Sequence, residues 1–152
     1  MTRTNLASLM VLVIGVPAAA AASFLSSGAR EQPCFVAGHT AYRMATGAGG
    51  SADVTIRIDN AAARPALRMQ VVDDPAAADF VLVDDGGMSC PNAGRVRSVR
   101  LDPAAPKADV TLALTRTSGD YKIYAKSAGF SEHDAAALFA AIWNDSRKTA
   151  RR

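Results

Sequence analysis

Five aspartates, Asp73, Asp74, Asp79, Asp84 and Asp85, fall within thirteen residues that contain no lysine or arginine. Carboxylates gathered in this way are the ligands that calcium and magnesium take. Asp73-Asp74 and Asp84-Asp85 each follow an apolar run, so two parallel neighbouring strands ending there would bring four carboxylates to one sheet edge. The plainer reading is that they are solvated turn residues, and no Asp-x-Asp-x-Asp-Gly loop accompanies them. Neighbours in extended chain point to opposite faces, so neither pair makes an acid–base couple unaided.

Nucleophilic chemistry is also sparsely supplied. Gly87-Met-Ser89-Cys-Pro91 approaches a nucleophile elbow, but the fifth residue is proline where glycine is needed, and no helix follows. His39 and His133 lack any paired ligand spacing, and Gly47-Ala-Gly-Gly50 has no helix N-terminus behind it to cradle phosphate. No catalytic set and no cofactor are therefore expected. A small hydrolase would have to assemble its site from distant residues, and Asp84, Asp85, Ser89 and His133 are the members available.

Cys34 and Cys90 are the two cysteines of the chain. An even count in an exported protein points to one disulfide, and neither cysteine has the Cys-x-x-Cys spacing of a redox motif. The closed loop of about 56 residues would contribute about 4 kcal/mol in the chain-entropy model.

Export itself is read from the N-terminus. Arg3 precedes residues 4–29, which carry no charge, and the strongly apolar part is the eleven residues 6–16. Pro17 interrupts it, and the alanine tract 18–22 offers small-x-small cleavage sites after Ala20, Ala21 or Ala22. An uncleaved anchor over residues 6–25 is the alternative, since a span needs about 20 residues. Periplasmic or secreted localisation follows from the first reading, and a membrane-tethered structural protein from the second.

The formal charge of +3 arises at the ends. Between Ser23 and Ser146 there are 12 basic and 14 acidic residues, a net of −2, while Arg147, Lys148, Arg151 and Arg152 gather at the C-terminus. Nucleic-acid binding is not expected, because the aromatics are not interleaved with that basic tail. The tail reads as a frayed, solvated end that complements a helix C-terminus, with contact to an anionic membrane as the sharper alternative.

The elements behind these residues are strands and one helix. Val54, Ile56 and Ile58 alternate with polar residues, as do Leu67, Met69 and Val71, which predicts two half-buried strands. Residues 41–45 are expected to pair with the first of them as a hairpin through Gly47 to Gly50. Phe80-Val-Leu-Val83 is apolar throughout and reads as a central strand covered on both faces, with one helical turn at Pro75 before it. The connection into it is too short for a normal βαβ unit. Residues 99–101, 110–114 and 121–126 read as an antiparallel meander. Ser131 and Asp134 then open a helix whose Ala135, Leu138, Phe139, Ile142 and Trp143 form one stripe. No internal repeat is evident.

Pro75-Ala-Ala-Ala-Asp79-Phe-Val-Leu-Val83 is similar to the Ala-Asp-Tyr/Phe-Val-Leu phrase that opens a strand in bacterial envelope α+β domains, those of periplasmic accessory proteins and assembly lipoproteins. The resemblance spans nine residues, carries no functional residue, and implies fold type and compartment only. The expected protein is an exported α+β domain with an antiparallel-rich sheet of five to seven strands and a C-terminal amphipathic helix on one face. Residues 1–22 form the signal, 23–40 an extended linker, 41–146 the domain and 147–152 the basic tail. Its expected role is an accessory or interaction module acting on an envelope protein.

Overall fold

Alternating apolar and polar side chains make strands of eight segments: β1 (Cys34–Ala37), β2 (Thr40–Met44), β3 (Val54–Ile58), β4 (Leu67–Val71), β5 (Phe80–Val83), β6 (Arg95–Leu101), β7 (Val110–Thr115) and β8 (Tyr121–Lys126). One helix follows, α1 (Glu132–Ala150). The structure, a computed structural model, describes residues 34–45, 51–83 and 94–151. All eight strands join one sheet in the order β1-β2-β6-β3-β7-β4-β8-β5, and only β1 and β2 run antiparallel. The α+β class stands. The expected five to seven antiparallel strands are corrected to eight strands in a mixed, mainly parallel sheet.

Stagger explains how parallel strands are joined without crossover helices. Each strand pairs with one neighbour through its first half and with the next through its second half: Val54–Ile56 with β6, then Ile56–Ile58 with β7. The end of one strand therefore lies level with the start of the strand two places along. Ile58 pairs with Leu112, which pairs with Leu67 at the start of β4; Val71 pairs with Ile123, which pairs with Phe80 at the start of β5. A parallel connection ordinarily needs a dozen residues because it must travel back along the strand. Here it only steps over one neighbour, and eight residues suffice between β3 and β4, β4 and β5, and β6 and β7.

Three expected pairings are overturned by this interleaving. β6 lies between β2 and β3, so they form no hairpin; β3 and β4 separate β6, β7 and β8, so they form no meander; and β8 lies between β4 and β5. The expected linker is corrected as well, because Cys34–Ala37 and Thr40 already belong to the sheet. Gly38 turns the chain between β1 and β2 with φ of 60°, a backbone region that glycine enters at no steric cost.

A recurrence is present that the apolar pattern conceals. Val54, Leu67 and Phe80 begin successive strands 13 residues apart, and Ala-Asp or Gly-Asp precedes β3, β5, β7 and β8. The aspartates substitute for the strand residue that would come next in the ladder. Asp53, Asp79 and Asp109 donate their backbone N–H to the carbonyls of Ser98, Lys122 and Thr55 at 3.0, 2.8 and 2.8 Å. Their carboxylates accept the backbone N–H of the same three residues at 2.8, 2.7 and 2.8 Å. Each carboxylate thus acts as an extra carbonyl and extends the pairing by one step. The two hydrogen bonds that Asp53 accepts from Ser98, backbone first, hold its carboxyl below the ordinary value.

Helix α1 begins at the expected capping box, with Ser131 Oγ accepting from the Asp134 N–H at 3.1 Å and Asp134 accepting from the Ser131 N–H at 2.9 Å. It packs against β2, β3, β4, β6, β7 and β8. Ala135, Ala136 and Ala137 are consecutive and all fully buried, as are Leu138, Ala140 and Ala141. Three consecutive buried residues point in three directions around a helix, so the sheet curls around α1 and covers much more than one stripe. Arg147 and Lys148 lie in the last helical turn and complement its negative end, which replaces the expected frayed tail with ordered helix to Ala150.

Candidate functional site

Curling brings the two ends of the sheet together. β1 and β5 are last in the strand order at opposite ends, yet the rings of Phe35 and Phe80 stand 5.1 Å apart. Phe80 meets Phe139 at 5.5 Å, and Phe139 meets Tyr121 at 5.1 Å, so an aromatic row ties the seam to the helix. No backbone ladder joins β1 to β5 among the described residues. Among the described residues each has a strand on one side only, and an edge of that kind is a feature that sheet proteins ordinarily protect.

β5 is therefore an edge strand, and its expectation as a central one is corrected. Phe80 and Leu82 face the helix, but Val81 and Val83 face outward at 42% and 59% exposure. The continuous apolar run reflects an apolar outer surface at the seam. Val36 on β1 is exposed to a similar degree, at 44%. The outward side of the seam is apolar, through Val36, Val81 and Val83.

A second feature lies at the mouth between the β1–β2 turn and the last turns of α1. A cavity of about 630 Å³ is bounded there by Gly38, Thr40, Tyr42, Asp145 and Thr149. Tyr42 donates to Asp145 Oδ2 at 3.0 Å and Arg97 Nη1 donates to Oδ1 at 2.9 Å, while Arg97 Nη2 reaches the Asp53 carbonyl at 3.3 Å. Burial first, then the Asp145 carboxylate, pushes the Tyr42 phenol up to about 12. Tyr42 stays protonated and both carboxylate oxygens are occupied, so the group fastens the helix to β2 and β6 and is not arranged to take a proton from a substrate.

Two measurements follow from that fastening. Arg97 and Asp145 side chains are 12% and 20% exposed, and Asp145→Ala would leave the guanidinium without its partner, at a cost of about 3 kcal/mol by denaturant unfolding. A raised phenol value stabilises the fold below the free value of 10 and loses that contribution as pH rises towards 12. Thermal melts from pH 8 to 11.5 should show an alkaline fall that is smaller in Tyr42→Phe.

The residues singled out in the sequence are described only in part. Asp73 is exposed and faces Arg116 at 3.4 Å, and Asp74 caps the single turn Pro75–Ala77 by accepting from the Ala76 N–H at 2.9 Å. No metal-holding group of three or more ligands occurs among the described residues. Asp84, Asp85, Ser89 and Cys90 lie outside the described residues, as does the Gly47–Gly50 turn. His39 and His133 are exposed, in the β1–β2 turn and the first turn of α1. Cys34 is 1% exposed and is not a free cysteine. Trp143 is half-buried against the core with the Arg147 guanidinium 4.5 Å from its ring. No helix among the described residues is long and apolar enough to cross a membrane.

The seam was missed in the sequence because β1 is four residues long and its pairing with β2 rests on a two-residue turn. Gly38-His39 flanked by Phe35-Val-Ala and Thr40-Ala-Tyr was the available signal. No family model, no curated protein and no solved structure matches the chain.

Proposed function

We propose that this protein is an exported, non-catalytic interaction module that recruits an extended segment of an envelope protein to the free edge of β5. The observation that carries the reading is the seam: an edge strand with Val81 and Val83 turned outward and, among the described residues, no strand paired along its outer edge. Main-chain bonds along such an edge supply affinity, and alternate side chains supply selectivity. The uncharged N-terminal stretch supports export to the periplasm or beyond.

Affinity capture from envelope extract tests the recruitment, comparing the wild type with Val81→Lys/Val83→Lys. A protein retained by the wild type and lost from the variant is expected. Equal retention by both, or nothing above background from either, overturns the proposal.

The Cys34–Cys90 bond is part of the same proposal, since β1 carries Cys34 beside Phe35 at the seam. Intact mass of the protein from the native host should show a chain beginning near Ser23 that alkylates only after reduction. Loss of the bond by Cys90→Ser should cost about 4 kcal/mol in unfolding free energy.

A further inference from the structure

The last turns of α1 border a second cavity, on the side away from Tyr42. Asn144, Arg147, Lys148 and Arg151 recur at the spacing that sets residues on one helix face, whereas Asp145, Ser146 and Thr149 face the Tyr42 cavity. With Trp143, that face meets Ala66 and Asp109, the residues just before β4 and β7, around a space of about 230 Å³.

Charge is unevenly supplied to its wall. Arg147, Lys148 and Arg151 are cations, and none of them forms an ion pair among the described residues. Asp109 is the one acid bounding the cavity, and its Oδ2 already accepts the Thr55 N–H at 2.8 Å. The negative end of the helix offsets about half a charge. Three positive charges, less one for Asp109 and about half for the helix, leave about +1.5, so capping the helix uses only part of what is present. Asn144 supplies a donor as well, since its Nδ2 is buried without an acceptor. The Arg147 guanidinium is set in place over the Trp143 ring, 4.5 Å from its centre.

We infer that this cavity binds a phosphate group in its dianionic form. Guanidinium forks meet phosphate oxygens in pairs, and the Lys148 ammonium adds a point charge beside them. A dianion also balances the wall more closely than a carboxylate or a chloride ion would. None of the lining residues belongs to β1 or β5, so the site is independent of recruitment at the seam.

Trp143 is the single tryptophan of the chain, so its emission reports on the cavity directly. Inorganic phosphate is titrated into the full chain at constant ionic strength, with sodium chloride as the balancing salt, at about pH 8, where a phosphate group carries close to two charges. Phosphatidate vesicles are titrated in parallel, against phosphatidylcholine vesicles. A saturable change in emission is expected, with its dissociation constant raised at least about tenfold in Lys148→Gln/Arg151→Gln and unchanged in Arg68→Gln. Lys148 and Arg151 are exposed, so the double variant should melt with the wild type; if it does not fold, Lys148→Gln is read in its place and should weaken binding in the same direction. A response to phosphatidate alone, lost in the same variant, assigns the phosphate to a lipid headgroup, and a response to free phosphate assigns it to a small solute. No saturable change with either, a change that chloride reproduces, or one that survives the variants overturns the inference.

Discussion

Leucine at position 137 is expected to lower the melting temperature by on the order of 10 °C, or to prevent folding altogether. Ala137 is fully buried in a run with Ala135 and Ala136, all enclosed by a sheet that touches the helix from six strands. Three further carbons must be fitted into a core whose side chains are themselves buried, so the helix must shift against the strands around it. Overpacking of this kind costs about 3 kcal/mol, which for a domain of this size converts to that shift in temperature. Leucine at exposed Ala150, on the same helix, is the control and should melt within a degree or two of wild type. A helix lying on a sheet by one face would tolerate at least one of the three positions 135, 136 and 137, so a leucine scan across them separates the two arrangements.

Gly119→Ala is expected to cost about 2 to 3 kcal/mol, well above the usual effect of a loop substitution. Glycine here precedes Asp120 and β8, the place where alanine precedes β3, β5 and β7. The difference lies in the connection, which has eight residues before β5 and β7 but five, residues 116–120, before β8. Drawn tight over β4, the chain would place a Cβ of residue 119 at 2.6 Å from the Gln70 nitrogen, 2.7 Å from the Met69 carbonyl carbon and 3.0 Å from the Arg68 oxygen. All three are backbone atoms of a central strand, and the Asp120 N–H bond to the Arg68 carbonyl, 2.8 Å long, would be displaced with them. Ala108→Gly, the reverse exchange at the equivalent place before β7, should change stability by less than about 1 kcal/mol. Urea unfolding of both variants compares them directly.

Much of the local structure was legible in the sequence. Alternation located β3, β4, β6, β7 and β8, Asp74-Pro75 located the single turn, and Ser131 with Asp134 located the start of the helix, because each signal is set by contacts within a few residues. Strand partners were not legible. Connections of eight residues ordinarily join antiparallel neighbours, and only the stagger visible in the register lets them join parallel strands two places apart. The same stagger keeps β4 and β5 from being neighbours. Phe80-Val-Leu-Val83 misled for a related reason: an apolar run marks burial on both faces or an apolar outer surface at an edge, and composition does not distinguish them.

The measurement that bears most directly on the account is photo-crosslinking in the living host from a reactive side chain placed at position 83 on the β5 edge, with position 107 in the β6–β7 loop as control. A discrete adduct from position 83 alone, recovered from the envelope fraction and absent when Val81→Lys is added, is the predicted result. An adduct pattern identical at the two positions, or none at position 83 in the compartment where the protein accumulates, would contradict recruitment at the seam.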